Sequence, residues 1–106
     1  MRKYDLSVLV YPSDGCCCAH WLEGDIVAEG DTTEKACADL WKAVGTLIDR
    51  SANVFSDYSD KGFWRAPKKY WKAFRDAKAC KQAAPMPKYV KDRFVEADIR
   101  KGKYPK

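Results

Sequence analysis

One histidine, two methionines and no apolar run near the roughly 18 residues of a membrane span set the first bounds on this 106-residue chain. The short run Leu6 to Tyr11, behind Arg2 and Lys3, is too brief for the apolar region of a secretory signal. No glycine-rich phosphate loop is present, since Glu23-Gly24 and Glu29-Gly30 are isolated turns. Internal repeats and low-complexity tracts are also missing. The five cysteines are an odd number, and Cys16, Cys17 and Cys18 are adjacent. That is a poor disulfide framework, so reduced thiols and a cytoplasmic location are expected.

What is there points to a folded protein. Apolar residues make up 46% of the chain and aromatics 13%, too many for a disordered segment. Charge is uneven. Residues 1–56 hold five Lys/Arg against nine Asp/Glu, a balance of −4, whereas residues 57–106 hold fifteen against six, a balance of +9. An acidic half joined to a basic half fits either a polyanion partner or attraction between the halves.

Tyr4, Leu6, Val8 and Val10 alternate with polar residues at the period of a strand with one buried face. Pro12-Ser13-Asp14-Gly15 is turn chemistry. A second strand runs from Cys16 to Leu22, Glu23-Gly24-Asp25 reverses the chain, and Ile26 to Glu29 form a third. Such short loops predict an antiparallel meander. Gly30 is expected to leave the strand through a positive φ. Asp31 or Thr32 then caps a helix from Thr33 to about Arg50, Asp31 and Glu34 having capping-box spacing. Ala36, Cys37, Leu40, Trp41, Val44, Leu47 and Ile48 form its core-facing stripe.

Residues 51–66 mix turn residues with Phe55, Tyr58, Phe63 and Trp64, which predicts a segment folded back on the core. A second helix is expected from Pro67 at its first position, with Tyr70, Ala73, Phe74, Ala77 and Cys80 as its apolar face. Ala84-Pro85-Met86-Pro87 is expected to break it. Residues 88–101 fit two patterns. Val90, Phe94 and Ala97 suit a helix stopped by Gly102, and Val95, Ala97 and Ile99 suit a strand; the helix is favoured.

Three constellations bear on chemistry. Cys16, Cys18 and His20 share a strand face and offer soft ligands. Structural zinc sites draw on cysteine pairs in turns, however, and no second pair exists, so these read as packing residues and no metal or cofactor is expected. Asp5, Asp14, Asp25, Asp31 and Asp39 do not converge from facing strand positions as a two-metal nuclease requires, and read as solvated. The stretch from Lys61 to Arg93 interleaves cations with aromatics. Lys68, Lys72 and Arg75 are spaced for one helix face, with Lys78 nearby, and Trp64 and Trp71 could stack on unpaired bases. These six are the nucleic-acid candidates.

Residues 1–50 resemble the HicB-like antitoxin family. The resemblance is carried by Tyr4-Asp5-Leu6-Ser7-Val8-Leu9-Val10 as first strand, by Asp14-Gly15 at the first turn, and by Gly30-Asp31-Thr32-Thr33-Glu34-Lys35-Ala36 at the strand-to-helix junction. Residues 57–106 do not match the family's DNA-binding tail. The resemblance implies a β-β-β-α unit with a partial ribonuclease-H-like arrangement lacking the nuclease carboxylates. It also implies a non-enzymatic antitoxin that blocks a small mRNA-cleaving toxin, regulates its own transcription and forms homodimers; it assigns no toxin-binding residue.

The expectation is therefore an α+β protein. Residues 1–56 form a three- to four-stranded antiparallel sheet with one long helix on one face, and residues 57–106 a basic helical extension docked upon it. Its function is that of an antitoxin or relative. The alternative is a nucleic-acid-binding module acting through the basic half, with DNA or RNA as partner and no membrane. A small enzyme or metal protein using the Cys16/Cys18/His20 face is the third and least favoured reading.

Overall fold

The computed structural model describes residues 4–50, 65–81, 84–91 and 94–105. The expected meander is present: β1 (Tyr4–Ser13), β2 (Cys16–Trp21) and β3 (Ile26–Gly30) pair antiparallel in sequence. Ser13 opposes Cys16, leaving Asp14 and Gly15 as a two-residue loop. Both residues have positive φ, 51° and 82°, the signature of a type I′ turn, whose twist matches the strands it joins. Pro12 lies inside β1, opposite Cys17. Alternation from the hairpin turns its missing N–H away from β2, so no bond of the β1–β2 ladder is lost.

The helix α1 (Thr33–Arg50) has the expected bounds. Its cap is Thr32, whose Oγ1 accepts the Lys35 N–H at 3.1 Å. Asp31 makes a long, exposed 4.0 Å pair with Lys35. Gly30 departs from expectation, because it is not among the residues with positive φ. Glycine is needed there for proximity: a Cβ would sit 2.6 Å from the Ala36 nitrogen. The strand exit runs directly beneath the first helical turn.

The carboxy-terminal half differs more. The sheet has five strands in the order β3-β2-β1-β5-β4 and is mixed, not antiparallel throughout. Pro67 is extended and precedes the helix α2 (Lys68–Asp76), which ends well before Cys80 and before the prolines. Ala77 is already extended, and β4 (Lys78–Ala79) pairs antiparallel with β5 (Phe94–Lys101). Among the described residues of the stretch expected to be a helix, only Lys88–Lys91 are helical, as a single turn, α3. The strand pattern prevails from Phe94 because β5 lies between β1 and β4. Its backbone is paired with β1 along its length and with β4 at Arg100 and Lys101, a tertiary gain that outweighs local helix preference. It runs parallel to β1, with Val8 beside Ile99 and Leu9 beside Arg100.

Strand alternation divides the core in two. On one face Leu6, Val8, Val10, Ala19 and Trp21 pack against Ala36, Cys37, Leu40, Trp41 and Val44 of α1, joined by Val90. The Trp41 Nε1–H donates to the Ala84 carbonyl at 3.2 Å, fixing the segment before α3 to this side. On the other face Leu9, Tyr11, Cys18 and Leu22 pack against Ala66 and Phe74, with Tyr70, Trp71, Ala73 and Ala77 around them. Residues beyond 64 thus supply two strands of the sheet and the cover of its second face. The expected boundary at residue 56, the side chains of Leu47 and Ile48, and Phe55, Tyr58, Phe63 and Trp64 lie outside the described residues.

Candidate functional site

The second face carries the sheet's polar chemistry. β2 places Cys16, Cys18 and His20 on this face and Cys17, Ala19 and Trp21 on the other, as the alternation predicts. His20 is buried, and its Nε2 lies 2.7 Å from Asp25 Oδ1. Asp25 ends the four-residue connection between β2 and β3 with a positive φ of 52°, a backbone state that Asp tolerates better than most residues. The Tyr11 hydroxyl is 3.4 Å from Nδ1, and the Tyr70 ring stands edge-on to the imidazole at 4.6 Å between centroids. Tyr104 completes a three-tyrosine cluster, 5.4 Å from Tyr11 and 6.3 Å from Tyr70.

Burial shapes the protonation of this cluster. Desolvation lowers the His20 pKa and outweighs the opposing pull of Asp25, so the neutral ring is favoured. Desolvation also raises Tyr11, Tyr70 and Cys18. On the α1 side burial pushes the Cys37 thiol up to about 11. Thiols held protonated in this way are poor nucleophiles and poor ligands.

A second polar junction ties the halves together. Ser7 donates from its N–H to Glu23 Oε1 and from its hydroxyl to Oε2, both at 2.7 Å. The Leu22 N–H still donates to the Ser7 carbonyl at 2.9 Å, but the Leu22 carbonyl is released to accept the Ala66 N–H at 2.8 Å. Glu23 therefore substitutes for a ladder acceptor, and the freed carbonyl anchors the start of α2. Further along, Arg100 chelates Asp98 at 3.2 and 3.0 Å, donates to the Phe74 carbonyl at 3.2 Å and lies 4.5 Å over the Phe74 ring.

The nucleic-acid candidates are not one cluster. Lys68, Lys72 and Arg75 are exposed along the outer side of α2. Trp71 is half-buried: its Nε1–H donates to the Ala66 carbonyl at 3.1 Å, and Arg65 lies 4.1 Å from its ring centre. Lys78 is off that helix, in β4, directly opposite Lys101. Trp64 lies outside the described residues. Of the acidic candidates, Asp14, Asp31 and Asp39 are exposed and Asp25 is bound to His20. The backbone of Asp5 is in register with Glu96. Among the described residues no three His, Cys, Asp or Glu side chains converge to hold a metal.

Sequence reasoning missed the His20–Asp25 pair, the tyrosine cluster and the Arg100 junction. The first had a signal, since Trp21 opposite Ile26 leaves Asp25 at the mouth of the hairpin beside the preceding strand residue. The other two depend on β5 and α2 meeting across the sheet, which no local pattern records.

The sheet also separates charge. The β3 side exposes Asp25, Glu29 and Asp31, and the β4–β5 side exposes Lys78, Lys101 and Lys103. Among the described residues no helix is long and apolar enough to cross a membrane. A scan against protein-family models and searches of curated proteins and of solved structures gave no match.

Proposed function

We propose that the protein is a non-enzymatic binding protein of the HicB-like kind, an antitoxin or a relative of one, that neutralises a small mRNA-cleaving toxin and works as a homodimer in the cytoplasm. One observation supports this reading above the rest: the outer edge of β3. Ile26, Ala28 and Gly30 pair with β2, so alternation turns the N–H and C=O of Val27 and Glu29 outward. Among the described residues no strand pairs with that edge. Val27 is 47% exposed, and Asp25, Glu29 and Asp31 make the rim anionic. An edge of this kind can accept a partner strand, and its charge suits a cationic, RNA-binding toxin. The order β3-β2-β1-β5, with β5 parallel to β1, is compatible with the partial ribonuclease-H-like arrangement the resemblance implies.

The test is isolation of the chain's complex from its native host and assay of any small basic companion for mRNA cleavage. The reading requires that added chain suppress the cleavage at one-to-one stoichiometry. It also requires that Val27→Pro, which removes an outward N–H without touching the β2 ladder, weaken that suppression. A companion without ribonuclease activity, or suppression indifferent to Val27→Pro, counts against it.

A second reading is favoured by the exposed cations Lys68, Lys72 and Arg75: nucleic-acid contact through the basic half. Binding that steepens as salt is lowered, and flattens when those three are neutralised, is its expected behaviour.

A further inference from the structure

We infer that the β3 edge selects an extended segment of one pattern, with a cation, an apolar residue and a second cation at alternate positions. This rests on the strand-accepting role proposed above and specifies what that edge accepts. β3 runs Ile26-Val27-Ala28-Glu29-Gly30, and Asp25 precedes it. In the ladder with β2, Val27 lies opposite His20 and Glu29 opposite Cys18. Both therefore carry their side chains on the second face, with Cys18 and His20. Asp25 reaches the same face, since its carboxylate meets His20 Nε2 at 2.7 Å. The rim thus presents carboxylate, valine and carboxylate at every second residue, and all three residues are exposed. The outward backbone groups belong to Val27 and Glu29. A strand hydrogen-bonded to them sets its own alternate side chains beside these three. Its complement is an apolar residue at Val27, with Lys or Arg toward Glu29 and toward Asp25.

Three features favour this occupant. Edge strands are ordinarily blunted by lysine, proline, a bulge or brevity. β3 has neither lysine nor proline across its five residues, and its register with β2 is unbroken. The opposite edge strand, β4, is two residues long and carries Lys78. The second feature is that β3 is fixed before anything binds. His20 anchors the turn that leads into it, and Gly30 lies against the Ala36 backbone of α1. A preformed edge lowers the ordering cost of docking. The third is that charge opposes a second copy of the chain. An antiparallel two-fold pairing centred on Val27, Ala28 or Glu29 sets Glu29 against Asp25, Asp25 against Asp31, or Glu29 against itself. Like charges directly opposite are destabilising, whereas a cationic segment finds an acid at each turn of the pattern.

The probe is a labelled heptapeptide of threonines alternating with lysine, valine and lysine, beside a twin with glutamate for lysine. Fluorescence anisotropy with the full chain at low salt should show the lysine peptide bound more tightly. Glu29→Lys turns a cross-strand attraction into a repulsion and should weaken the lysine peptide roughly 2- to 30-fold. The same variant should bind the glutamate peptide better than wild type does. That gain separates altered charge from a folding defect. Val27→Pro, which removes an outward N–H, should abolish binding of both peptides.

A preference for lysine that persists in Glu29→Lys, or binding that survives Val27→Pro, overturns the inferred pattern. If toxin suppression nonetheless depends on Val27, the antitoxin reading stands without it. Peptides that follow Glu29 while no companion cleaves mRNA uphold the pattern and remove the toxin. A concentration-dependent dimer in sedimentation that disappears in Val27→Pro puts a second copy on the edge and overturns the pattern as well.

Discussion

Replacing Phe74 by alanine separates a protein whose second half is an appendage from one whose second half completes the fold. Phe74 is 7% exposed, at the centre of the second-face cluster. Its ring meets Arg100 at 4.5 Å and the edge of Trp71 at 6.3 Å. Truncating a buried phenylalanine costs about 3–5 kcal/mol, and the lost cation–π contact adds about 0.5–1 kcal/mol. Set against a typical total of about 5–15 kcal/mol, that removes a large share of stability. With a urea m-value of about 1.5 kcal/mol per molar, the midpoint should fall by about 2–4 M. The informative readout is native-state hydrogen exchange. If the sheet is one cooperative unit, amides of Ala36 to Val44, on the opposite face, should lose protection by the same free energy as those of Tyr70 to Phe74. Unchanged protection in α1, or a loss below about 1 kcal/mol, would refute the coupling. So would a cooperatively folded monomer made from residues 1–56 alone.

Three further outcomes are expected. Because the His20 pKa is lowered in the fold, the unfolded chain binds the proton more readily as pH drops below about 6.5. Melting temperature should therefore decline from pH 7 toward pH 5, and His20→Gln should flatten that decline; an unchanged slope would deny the buried neutral ring. Gly30→Ala should destabilise by about 1–3 kcal/mol through collision with the Ala36 backbone. Gly15→Ala, at φ 82° with open space around it, should cost about 1–2 kcal/mol from backbone strain alone; chemical denaturation measures both. Glu23→Ala leaves the Ser7 N–H without its carboxylate acceptor and should cost about 1.5–3 kcal/mol, with exchange at Ala66 rising first as α2's anchor loosens.

Much of the first fifty residues was legible because its contacts are local. Period-2 alternation fixed the faces of β1 and β2, Asp14-Gly15 fixed the hairpin, and the stripe from Ala36 to Val44 fixed α1. Gly30 was correctly singled out for the wrong reason, since a close approach and a positive φ leave the same residue in the sequence. Phe94–Lys101 was misread because Val90, Phe94 and Ala97 satisfy a helix locally, while the gain from pairing with β1 lies some ninety residues away in sequence. The candidate site split for the same reason. Lys68, Lys72 and Arg75 were visible as one helical face, but the opposition of Lys78 to Lys101 exists only through the β4–β5 pairing.

Among the described residues, exposed carboxylates along the β3 rim of the sheet and ammonium groups along the β4–β5 rim give the sheet an electrical axis in the plane of its strands. Approaching a polyanion, it would be swung round by torque before any atom touched, cationic rim leading. The anionic rim would then trail outward, still free to be grasped by a second molecule. Orientation of that kind weakens as added electrolyte shortens the reach of the field, so the order in which two ligands assemble on this chain should itself depend on ionic strength.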